Sequence, residues 1–220
     1  MTIDLINDMI PPLKVTDDAA KALVWMEELR LHALPVVQDK KFLGFLTEDM
    51  IIDHNNVDAK TADFMLKGEE CFVFDYQHAY QAVKKATDFD FECVVVLNSE
   101  SEYLGVVVLS DALSIFSQSA SIQSEGGVIV LSMNQADYSL SEISRLIESN
   151  EAQIMGSSLN IDKNEPTKFR LTLKINKIDL THIIATLERF GYKVVAKYQE
   201  VKSVSNEKER LDMLMRYLDA

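Results

Sequence analysis

The sequence predicts an α+β chain in two unlike parts, an internally repeated first half and a βαββαβ second half. Three observations lead there. The first 118 residues carry two copies of one pattern, at a period of about 60 residues. A Ser-, Gln- and Gly-rich stretch, QSASIQSEGG, then interrupts the chain from Gln118 to Gly127. Beyond it the rhythm changes to longer alternating strands separated by two amphipathic helices. The expected boundaries are 1–118 for the repeat (units of about 5–57 and 58–118), 119–127 for a linker, 128–200 for the second domain and 201–220 for a terminal helix.

The first copy, VTDDAAKALVWMEELRLHALPVVQDKKFLGFLTEDMI, begins at Val15; the second, FDYQHAYQAVKKATDFDFECVVVLNSESEYLGVVVLSDAL, begins at Phe74. Ala19 and Ala22 correspond to Ala79 and Ala82, Pro35-Val36-Val37 to Val94-Val95-Val96, and Gly44 to Gly105. Each copy reads as helix, strand, turn, strand, helix. Thr16 is the expected first N-cap, with Asp17 and Asp18 where the helix dipole favours acids. Ala19, Ala22, Leu23 and Met26 follow at helical spacing. Leu34–Val37 and Phe42–Leu46 are strands about a turn, and Thr47 caps the next helix. The second copy repeats this with Asp75, a strand over Val94–Leu97, another over Tyr103–Leu109, and Ser110 as cap.

Composition narrows the function. Lys and Arg number 22 against 35 Asp and Glu, a formal charge of -13 without any basic stripe, so nucleic-acid binding is not expected. No apolar run approaches the roughly 20 residues that span a bilayer, and the acidic start MTIDLINDMI lacks the basic region of a signal peptide. Cys71 and Cys93 are isolated in apolar settings and read as buried free thiols of a reducing, cytoplasmic compartment. The seven glycines form no phosphate loop, and the four histidines have no metal-ligand spacing. Neither an enzyme nor a bound cofactor or metal is expected.

The capped helix, LPVV, turn, LG-apolar-apolar-[ST] and nearby Asp resemble the CBS domain, which occurs in pairs; the likeness covers roughly residues 5 to 118. It implies two βαββα-type units in a pseudo-two-fold disc, with two clefts that commonly hold adenosine-containing ligands such as AMP, ATP or S-adenosylmethionine. In that family a Gly, two apolar residues, Ser or Thr, two variable residues and Asp form the binding signature. The hydroxyl takes phosphate, the Asp takes both ribose hydroxyls, and the adenine lies in an apolar slot near the preceding strand. Here those roles fall to Thr47 and Asp49 in the first cleft, Val108, Ser110 and Asp111 in the second, and Val15, Leu34 and Pro35 for the slot.

Neither half carries the whole signature. After Gly44 the acid Asp49 comes one residue early and Met50 holds its place, a rotation of about 100° on a helix. After Gly105, Asp111 is in register, but Val108 replaces the hydroxyl. The same residues also read as helix furniture, Thr47 and Ser110 as N-caps and Asp49 and Asp111 as first-turn acids. The second cleft, which keeps the ribose anchor, is the expected site.

In the second part, Val128–Met133 reads as a strand, Ser139 and Glu142 as a capping box, and Leu140, Ile143, Leu146 and Ile147 as the inner face of a helix. Gln153–Ile161 and Lys168–Ile175 form a hairpin. Asp179 caps a helix that buries Leu180, Ile183, Ile184 and Leu187, Gly191 ends it, and Tyr192–Tyr198 is the last strand. That order is ferredoxin-like. Placed after a CBS pair it resembles an ACT domain, and the whole chain resembles acetoin-utilisation-type CBS–ACT proteins. The turn Asn134–Tyr138 lacks the glycine that amino-acid-binding ACT domains place there, so an interface role is expected instead. In the tail, Leu211, Leu214, Met215 and Leu218 make the apolar face of a docking helix. The resulting expectation is a regulatory protein that senses an adenosine-type ligand and acts as a homodimer or higher even oligomer, without membrane or nucleic acid. The alternative is a ligand-free dimerisation scaffold.

Overall fold

The computed structural model describes residues 2–199, so the tail helix expected over 201–220 lies outside the described residues. Two compact units divide between Ser117 and Gln118. In the first, a 3-10 turn over Thr2–Leu5 precedes α1 (Ala19–Leu29), β1 (Ala33–Gln38), β2 (Lys41–Thr47) and α2 (Glu48–His54). A 3-10 turn at Thr61–Asp63 leads to β3 (Phe72–Phe74), α3 (Ala79–Phe89), β4 (Cys93–Leu97), β5 (Tyr103–Val108) and α4 (Leu109–Ser117). Strands β1 and β2 pair antiparallel, as do β4 and β5, and β3 runs parallel to β4.

The halves differ at their leading strand. β3 lies along Val95–Leu97, whereas the first half offers only a single parallel bridge, Leu13 to Val36. Pro11 and Pro12 explain the loss, because neither has an N–H to give to a ladder. Both long helices end on a left-handed residue, Arg30 (φ 54°) and Asp90 (φ 56°).

Helix starts depart from the sequence expectation. Asp18, not Thr16, caps α1, with its Oδ1 accepting from Lys21 N at 2.8 Å. Residues 15–17 are held as a turn by Lys14 N donating to Asp17 Oδ2, and Thr61 N takes the Asp17 carbonyl. In the second half His78 caps α3 in place of Asp75, whose N–H is tied to Leu97 O on β4. Ser110 is not a cap either. α4 begins at Leu109, so the position equivalent to Thr47 is Val108, which has no side-chain oxygen to offer.

The first core interleaves both halves: Leu34, Phe45, Leu46, Val95, Val96 and Val106 are all fully buried. A segment from each half crosses the second strand of the other. Asn7 N donates to Val106 O at 2.8 Å, and Lys67 exchanges both backbone bonds with Phe45 at 2.7 and 3.0 Å. The glycine before each crossing point admits the partner segment. A Cβ at Gly105 would lie 2.5 Å from Ile6 Cγ2, and one at Gly44 2.9 Å from Leu66 Cβ. Glycine is required at these two positions by close approach, and at Gly44 also by its φ of +139°.

The second unit runs α5 (Ala120–Gln123), β6 (Gly127–Asn134), a 3-10 turn at Gln135–Asp137, α6 (Leu140–Glu148), β7 (Ile154–Ile161), β8 (Lys168–Ile175), α7 (Thr181–Arg189) and β9 (Lys193–Tyr198). Its sheet has the order β7-β8-β6-β9, antiparallel throughout, which is the βαββαβ ferredoxin-like arrangement. Ile129, Leu131, Leu171, Leu173 and Ile175 on one face are buried with Ile143, Ile147, Ile183 and Leu187 of the helices. Three local expectations change. The expected linker contains α5, and Ser121 occupies the space a side chain at Gly156 would need. Leu140, the first residue of α6, is exposed rather than inward. Ser139 Oγ accepts from Glu142 N at 3.4 Å, but the Glu142 carboxylate turns away to accept from Tyr192 Oη at 2.9 Å, so the capping box is only half made.

Candidate functional site

The crossing of the halves builds a cleft in the first unit. It has a volume of about 540 Å³ and opens where β2 turns into α2. Thr47 and Asp49 line it from that turn, with His32 and Ala33 at the start of β1 and Lys67 and Gly68 from the crossing segment. Phe89, the last residue of α3, and Asp90 to Glu92 beyond it complete the lining. Thr47 Oγ1 accepts from Met50 N at 3.4 Å and so is engaged as a cap. Asp49 is exposed. Glu48, Asp49, Asp90 and Glu92 set four carboxylates in this lining against Lys67 and His32. Such a field disfavours a phosphate group.

Strand pairing shifts the repeat by one residue from the sequence alignment, since Val36 faces Gly44 as Val96 faces Gly105; His32 and Glu92, 60 positions apart, are therefore counterparts, and they meet across the junction of the halves. His32 Nδ1 lies 2.6 Å from Glu92 Oε1. That hydrogen bond and the charge of Glu92, helped by Glu48 and Asp49, hold the imidazole above its ordinary range. The backbone repeats the symmetry: Glu48 N donates to His32 O and Leu109 N to Glu92 O, at 2.9 and 2.8 Å.

The second strand-to-helix turn presents a different set. Asp111, in the first turn of α4, is half-buried, and its Oδ2 accepts from Asn7 Nδ2 at 3.0 Å. Ser110 is exposed and Val108 half-buried beside it. The carboxylate therefore sits where the Ile6–Asn7 crossing meets β5, accepting from an N–H donor. The sequence singled out Asp111 but not Asn7; the only available signal was the spacing of Asn7 relative to Lys67 in the other copy.

The residues expected in the apolar slot are not gathered at either turn. Leu34 and Pro35 pair with Leu46 and Phe45 inside the core, because both faces of β1 are covered. Ala33, one residue earlier, reaches the cleft instead. Val15 lines a separate apolar slot of about 650 Å³ with Pro11, Pro12, Trp25 and Val37.

In the second unit, a cavity of about 570 Å³ adjoins the Asn134–Tyr138 turn and includes Glu142, Lys168, Tyr192 and Lys193. Asn134 Nδ2 donates to Asp137 Oδ2 at 2.8 Å within it. Cys71 and Cys93 are buried free thiols, and burial pushes both up, Cys71 to about 12. Among the described residues, no cluster of His, Cys, Asp or Glu is arranged to hold a metal ion, and no helix is long and apolar enough to cross a membrane.

No protein-family model matches the sequence, and no curated protein matches it. The solved structures similar to it include CBS-domain proteins. A CBS domain pair/ACT domain protein from Thermotoga maritima is 16% identical over 52% of this chain and 93% of its own, with a TM-score of 0.48. The CBS domains of a transcriptional regulator from Streptococcus pneumoniae are 22% identical over 51% and 96%, with a TM-score of 0.45. The CBS-pair protein CBSX2 of Arabidopsis thaliana, in complex with AMP, is 15% identical over 53% and 95%, with a TM-score of 0.44.

Proposed function

We propose that this chain is a non-catalytic, cytoplasmic regulatory protein whose first 118 residues are a tandem CBS pair and whose residues 128–200 are an ACT-like domain. The second cleft takes the ribose of an adenosine-containing ligand on Asp111, and the ACT-like domain and a homodimer or higher even oligomer relay the occupancy. The observation that carries this reading is the Asp111 carboxylate, half-buried at the junction of the halves and accepting a hydrogen bond from a neutral donor. A vicinal diol offers two further donors of the same kind. With Val108 where a hydroxyl would be, the site leans on the ribose more than on phosphate, which favours adenosine, AMP or S-adenosylmethionine over ATP.

Calorimetry against these four compounds tests the proposal. Binding by the wild type that Asp111→Ala weakens about tenfold or more supports it, since a hydrogen bond to a charged group contributes roughly 1.5–3 kcal/mol. Binding lost with Asp49→Ala instead assigns the first cleft and overturns it. One observation favours the scaffold reading: the first cleft is ringed by carboxylates, with Met50 where the ribose anchor would be. A chain that is dimeric by light scattering and binds none of the four compounds is such a scaffold.

A further inference from the structure

We propose that Asn7 is a positioning residue for the second cleft, holding the Asp111 carboxylate in the orientation that distinguishes a ribose from a 2′-deoxyribose. The inference rests on the ribose reading above. Asn7 is fixed from three directions. Its backbone N–H is bonded to Val106 O at 2.8 Å, its Oδ1 accepts from Met9 N at 3.0 Å, and its Nδ2 donates to Asp111 Oδ2 at 3.0 Å. The preceding residue, Ile6, packs into the space left by Gly105. A side chain held at its carbonyl end by its own turn and at its backbone by the facing strand is not a swinging arm. It is a rigid donor aimed at one carboxylate oxygen.

The consequence for Asp111 is geometric. A half-buried carboxylate with one oxygen tethered cannot rotate freely, so its Oδ1 and the remaining lone pair of Oδ2 are presented in one orientation. Two acceptors in fixed relation fit the two hydroxyls of a cis diol. A 2′-deoxy sugar fills only one of them and leaves the other acceptor unpaired. Selectivity for ribose is therefore a property of the pair Asn7–Asp111, not of Asp111 alone.

The other half supplies an internal comparison. The residue that crosses β2 there is Lys67, and the position equivalent to Asp111 is Met50. The Met50 sulfur accepts from Thr47 N at 3.4 Å and serves the helix cap. That half has neither carboxylate nor amide at these positions, which confines the pairing to the second cleft.

The test measures AMP and 2′-deoxy-AMP binding by calorimetry to the wild type, Asn7→Ala and Asn7→Asp. Asn7→Asp keeps the acceptor for Met9 N but replaces the donor facing Asp111 with a like charge. The wild type is expected to bind AMP about tenfold more tightly than 2′-deoxy-AMP, the loss of one charge-assisted bond. Asn7→Ala should weaken AMP by most of that factor while leaving 2′-deoxy-AMP within about twofold, collapsing the ratio. Asn7→Asp should collapse it as well. The unchanged affinity for 2′-deoxy-AMP in Asn7→Ala shows that the fold is intact, which a merely structural role would not predict. A wild-type ratio retained in both variants, or tighter AMP binding by Asn7→Ala, overturns the inference and leaves the parent reading standing. Binding of neither nucleotide by the wild type overturns the inference, and the parent reading falls with it when adenosine, S-adenosylmethionine and ATP also fail to bind.

Discussion

The two halves of the first unit have nearly the same backbone and opposite endowments at their strand-to-helix turns. The first turn keeps the hydroxyl, Thr47, and spends it on capping α2, and its surroundings are acidic. The second turn has no hydroxyl at that position, but it keeps Asp111 and pairs it with Asn7 from the other half. One backbone pattern carries different side chains at equivalent positions in its two copies. Backbone symmetry is thus poor evidence for functional symmetry, since a glycine, a crossing segment and a helix start can all repeat while the side chains around them do not.

The glycines at the two crossings give the largest expected effect. Gly44 has a φ of +139°, and a Cβ there would meet Lys67 O at 3.1 Å, a backbone atom that cannot swing aside. Gly105 faces only the Ile6 side chain. Urea unfolding should show Gly44→Ala destabilised by roughly 2–4 kcal/mol and Gly105→Ala by about 1–2 kcal/mol. Equal losses would mean that the crossings are tighter in both halves than the backbone symmetry requires.

Ligand affinity comes next. The Asp111→Ala loss of about tenfold, equivalent to about 1.4 kcal/mol, should far exceed that of Asp49→Ala, which lies one helix position out of register. The capping difference is smaller and can be exchanged between the halves. Thr47→Ala should cost about 1 kcal/mol of stability by removing the acceptor for Met50 N, while Val108→Thr should return up to a similar amount to α4. A neutral result for Thr47→Ala in thermal unfolding would show that its long 3.4 Å bond does not contribute.

The smallest effect belongs to His32 and Glu92, where the halves meet. Glu92 raises the imidazole in the folded state, so folding favours the proton. Its contribution is complete below the ordinary histidine value near 6.5 and fades as pH rises through the raised one. Wild-type midpoints should therefore fall between pH 6 and pH 8 relative to His32→Gln. The shift is modest, because the histidine is exposed and the pair is screened by salt. An identical pH profile for the variant would show that the pair contributes nothing.

Periodicity and spacing carried much of the architecture. The repeat, the strand pairs about each turn and the βαββαβ order after residue 127 follow from apolar patterns that only one burial arrangement satisfies, because a slip of one residue would expose a whole strand face. Thr47 as a cap and Asp111 as a first-turn acid were legible for the same reason, as both are fixed by distance from a glycine. What the linear order did not contain was which distant segments meet. Pro11 and Pro12 deny the first half the leading strand that the second half forms, the helix starts moved to Asp18 and His78 because neighbouring backbone groups were already bonded elsewhere, and Leu34 and Pro35 went to the core because β1 is covered on both faces. Asn7 became Asp111's partner from 104 positions away through a crossing of the two halves, a contact decided by tertiary packing and by the need of each glycine gap to be filled.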